Sequence, residues 1–109
     1  MKTDRELLEM AARAAGYKIE WVRNSGCYYR CEEEVGREEF NPLDDDGEAM
    51  RLAVVCRMTL EVSFRRSSAH AWRGQKEIVA REKHAGDDWS AFTRRAIVRA
   101  AAAIGEAMP

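Results

Sequence analysis

The residues of this 109-residue chain whose types could do chemistry are three cysteines, two histidines, a run of three aspartates and a scatter of arginines. Cys27 and Cys31 stand four apart in a segment that reads as a strand, where four residues cover about 13 Å at ~3.3 Å each. Disulfide-linked Cα atoms lie within ~7 Å of one another, so the pair cannot bridge within one strand, and at that separation it cannot converge on one zinc ion either. With Cys56 the count is odd, and all three are expected as small, reduced apolar residues. His70 and His84 have no Ser, Cys or Asp at a spacing that marks a nucleophile. The seven glycines are isolated from one another, so no phosphate-cradling loop is present in the sequence. A catalytic site needs a cluster of convergent groups, and none is legible; neither a cofactor nor a metal is expected.

Two charged features invite a binding function. Asp44, Asp45 and Asp46 lead into Gly47 and Glu48. Calcium loops of the helix-loop-helix kind space their acids alternately and finish on a distant Glu; here the acids are contiguous and stand directly before an apolar helical stripe. They are expected to cap that helix, where carboxylates accept unpaired amide protons and oppose the positive end of the dipole. Arg94, Arg95 and Arg99 near the C-terminus, with Arg65 and Arg66 before a hairpin, could form a basic face that meets phosphates.

The elements that must position these residues follow from periodicity. Thr3-Asp4-Arg5-Glu6 is a capping box, followed by Leu7, Leu8, Ala11, Ala14 and Ala15 at helical spacing and stopped by Gly16, so a helix is expected over 4–15. Residues 18–23 and 27–32 alternate around Asn24-Ser25-Gly26 and read as a hairpin, with Cys27, Tyr29 and Cys31 sharing a face. A short strand near Phe40 is a further option. After Pro42 a second helix buries Ala49, Leu52, Ala53 and Cys56, with Met50 beside them. Residues 58–65 form the clearest strand, with Met58, Leu60, Val62 and Phe64 facing inward. Segments 69–73 and 76–81 complete a three-stranded meander around Gly74-Gln75. A last helix over 88–107, capped by Asp87 or Asp88, carries Trp89, Phe92, Ala96, Ala100 and Ala103 on one stripe, widened by Ile97 and Ile104. The order is αββαβββα, an α+β sandwich of one domain spanning 1–109, with a mostly antiparallel sheet of about five strands.

Lysine and arginine total 18 against 19 acids, a net charge of −1, and 46% of the residues are hydrophobic. That composition supports a packed core and lacks the basic excess of a dedicated duplex-DNA binder. No apolar run reaches the ~18–20 residues of a membrane span. The start of the chain has no apolar signal core, which leads to a cytoplasmic expectation.

Three blocks resemble a group of small phage and prophage proteins. They are NPLDDDGEAMRLAV (Asn41 to Val54), DRELLEMAARAAGY (Asp4 to Tyr17) and TRRAIVRAAAAIGEAM (Thr93 to Met108). The chain is similar to the phage ABA sandwich domain, and the resemblance implies a helix–sheet–helix sandwich and a home in a bacterial host. It carries over no activity and no catalytic residue. The functional expectation is therefore a small accessory protein that binds another protein or a second copy of itself through surplus aromatic surface, with Trp72, Tyr28 and Tyr29 as candidate interface residues. The alternative class is weak nucleic-acid binding through Arg94, Arg95, Arg99, Arg65 and Arg66.

Overall fold

A computed structural model describes residues 2–32, 36–63, 68–74, 78–83 and 88–108, with the backbone alone at 32, 68, 69 and 78–83. The sequence-expected Phe64, Arg65, Arg66 and His84 lie outside the described residues.

Local chemistry sets each helix. Helix α1 (Asp4–Ala15) opens on the expected capping box: the Glu6 amide donates to the Thr3 hydroxyl at 3.2 Å, and the Thr3 amide donates to the Glu6 carboxylate at 3.2 Å. It closes on Gly16 at φ 75°, with the Tyr17 amide donating to the Ala12 carbonyl at 2.9 Å. Helix α2 (Asp46–Val55) is capped by Asp45, which accepts from Gly47 and Glu48 at 2.8 and 3.3 Å. Helix α3 (Trp89–Ala107) is capped by Asp88, which accepts from the Ala91 amide at 2.8 Å.

The fold is α+β and its strand pairs are antiparallel, as the short turns require. Among the described residues the strands nevertheless divide into two sheets of three, where one sheet of about five was expected. The first sheet orders β1 (Ile19–Val22), β2 (Cys27–Glu32) and β3 (Gly36–Phe40); the second orders β4 (Thr59–Ser63), β5 (Ser68–Trp72) and β6 (Ile78–Lys83). The division has a local cause. Just past β3, Pro42 has no amide to continue a ladder, and the Asn41 carbonyl accepts from Asp44 and Asp45 at 3.1 and 3.0 Å, turning the chain into α2. Charge rather than apolar alternation aligns β3: Arg30 bonds Glu38 at 2.8 Å and Arg37 bonds Glu20 at 3.0 Å.

Helix α3 is the hub. Ala100 packs with Ala71 of β5, flanked by Met58 and Leu60. Gly105 lies about 140° further round the helix at ~100° per residue, and there it meets α1 so closely that an added Cβ would sit 1.9 Å from the Met10 carbonyl oxygen. The second sheet and α1 therefore flank α3 on different sides. The main core joins Leu7, Leu8, Ala11 and Ala12 of α1, Leu52 and Ala53 of α2, and Ile97, Val98 and Ala101 of α3 with Tyr28 and Phe40 of the first sheet.

The inward face expected for β4 holds only in part. Met58 and Leu60 are half-buried against the core, but Val62 is 50% exposed. β4 lies at one edge of its sheet, and α3 packs chiefly on β5 and on β6 at the other edge. The far end of the edge strand thus runs out from under the helical cover.

Candidate interaction surface

Of the candidate interface residues, Tyr28 is not available. It is 4% exposed, stacks edge-on with Trp21 at 5.0 Å, and donates its hydroxyl to the Glu9 carboxylate of α1. The register explains this correction: Trp21 lies opposite Tyr28, and Phe40 lies opposite Tyr28 on the other side, so these three rings share the sheet face that meets the core. The guanidinium of Arg5 covers the outer side of the cluster, 3.8 Å from the Trp21 ring centre. Tyr29 points the other way with Cys27 and Cys31, as expected, and all three are half-buried. The three cysteines are unlinked; burial pushes the Cys56 thiol pKa up. Trp72 is half-buried and lies opposite Thr59 of β4, across the sheet from the Ala71 face that α3 covers.

Of the basic face that the sequence suggested, two arginines of α3 are ion-paired within the fold. Arg94 is an internal tie: its Nε donates to the Leu43 carbonyl at 2.8 Å and its guanidinium bonds Asp46 at 2.5 Å, with the side chain 15% exposed. Arg95 reaches Asp4 at the start of α1, 3.2 Å away. Arg99 is exposed on the same helix. The acids of distant segments thus engage Arg94 and Arg95 and hold helix ends together, while Arg65 and Arg66 lie outside the described residues.

The aspartate run divides its labour. Asp45 caps α2, Asp46 pairs with Arg94, and Asp44 is exposed. Among the described residues no group of three or more His, Cys, Asp and Glu could hold a metal ion. Glu48, one turn into α2, is buried and bonded to Arg51 at 2.6 Å; that hydrogen bond raises the Arg51 pKa.

The surface that stands out was not singled out from the sequence. Met50 and Val54 of α2 are 54% and 68% exposed; they are four residues apart and so share one helix face. Beside them Ala49, Met50, Leu60, Trp89 and Ile97 line an open, mostly apolar groove of about 250 Å³ between α2, β4 and α3. Val62 follows Leu60 by two positions and extends the same strand face past the groove. The signal was present in the sequence: apart from Arg51, the stretch from Ala49 to Val55 is apolar all round. A helix with that pattern needs cover on two sides, and α2 receives it on one.

Comparison with protein-family models, with curated proteins and with solved structures finds no match for the chain. Among the described residues no helix is long and apolar enough to cross a membrane.

Proposed function

We propose that this chain is a small accessory protein of phage or prophage type, working in the host cytoplasm by binding protein rather than by catalysis. The observation that carries the reading is the exposed pair Met50 and Val54 on one face of α2, with Met50 lining the groove between α2, β4 and α3 and Val62 exposed further along β4. Exposed apolar surface beside an apolar groove on a small domain marks a contact site, because its removal from water is what association gains. Trp72, half-buried on β5, and Tyr29, on the outer face of the first sheet, remain aromatic candidates at the margins. Nucleic acid is the weaker alternative, since Arg94 and Arg95 are engaged in internal ion pairs.

The test is sedimentation velocity over a wide concentration range, for the parent and for Met50→Lys/Val54→Lys, with circular dichroism as the folding control. The parent is expected to self-associate and the double variant to lose that association. A parent that stays monomeric at every concentration and binds single-stranded DNA tightly, with steep salt dependence, would overturn the reading.

A further inference from the structure

We draw no further inference here: the strongest candidate, the exposed apolar face of Met50 and Val54 on α2 beside the groove between α2, β4 and α3, carries nothing beyond the contact surface already described, because nothing in the structure shows what covers it.

Discussion

Tyr28 shows how one side chain joins two elements. Its ring belongs to the aromatic cluster of the first sheet, and its hydroxyl reaches Glu9 on α1. Burial, reinforced by the bond to Glu9, raises its pKa above the ordinary 10.0. A raised value in the fold means that the native state holds its proton more tightly than the unfolded chain does. The contribution is therefore present in full below about pH 10 and is lost as pH rises through the folded value. Tyr28→Phe keeps the ring and removes the hydroxyl; it should cost about 1 kcal/mol at neutral pH, since exposed Glu9 can take water instead. In urea denaturation across alkaline pH, the gap between parent and variant should close as pH climbs. A gap that stays constant would mean that the phenol does not titrate in this way. At the acid end, Glu6 behaves in the opposite sense: its bonds to Thr3 lower its pKa, so its contribution fades as pH falls through the folded value.

Between elements, the closest contact is that of α1 with α3 at Gly105. Alanine is the better helix former by about 1 kcal/mol, but its Cβ would lie 1.9 Å from the Met10 carbonyl oxygen and 2.8 Å from the carbonyl carbon, both backbone atoms that cannot swing aside. Overpacking of this kind costs about 1–3 kcal/mol, so Gly105→Ala should lower the melting temperature despite the gain in propensity; an unchanged or higher melting temperature would show that the helices part easily. Arg57→Gly should act in the other direction, stabilising the monomer by about 1 kcal/mol through relief of its left-handed backbone, at φ 57°, as read by denaturation at low protein concentration. The helices were legible in the sequence because their ends carry local chemistry: Thr3 with Glu6, Gly16, Asp45 and Asp88 each act within a few residues of where they stand. The strands were less so. β3 is held by ion pairs that reach other strands, and its run Arg37-Glu38-Glu39 has no apolar period to read. The exposure of Val62 and the burial of Tyr28 depend on which strand is outermost and which face meets α1, facts that belong to the tertiary arrangement and not to any window of sequence.

At the scale of the whole molecule, charge is spent on cohesion. Lys2 bonds Glu106, Arg95 bonds Asp4, Arg94 bonds Asp46, and Arg13 donates to the Met108 carbonyl, so distant parts of the chain are tied through α1 and α3. Exposed pairs such as the first two contribute little singly; Arg94 differs because it is largely buried and satisfies a backbone carbonyl as well. This division bears on the candidate nucleic-acid face. If Arg94, Arg95 and Arg99 served phosphates, changing all three to alanine would abolish DNA binding and leave the fold intact, and the affinity of the parent would fall steeply with salt as counterions are released. The ion pairs lead to the reverse expectation. The parent should bind single- and double-stranded DNA weakly at physiological salt, because 19 acids oppose 18 bases and Arg94 and Arg95 have carboxylate partners. The triple variant should lose stability, by about 1–3 kcal/mol for the orphaned Leu43 carbonyl and the broken tie to Asp46, with little change in DNA affinity. Fluorescence anisotropy against salt, run beside thermal melts of the same two proteins, separates the two cases. A triple variant that melts like the parent but no longer binds DNA would mean that these arginines face outward to a ligand rather than inward to the fold.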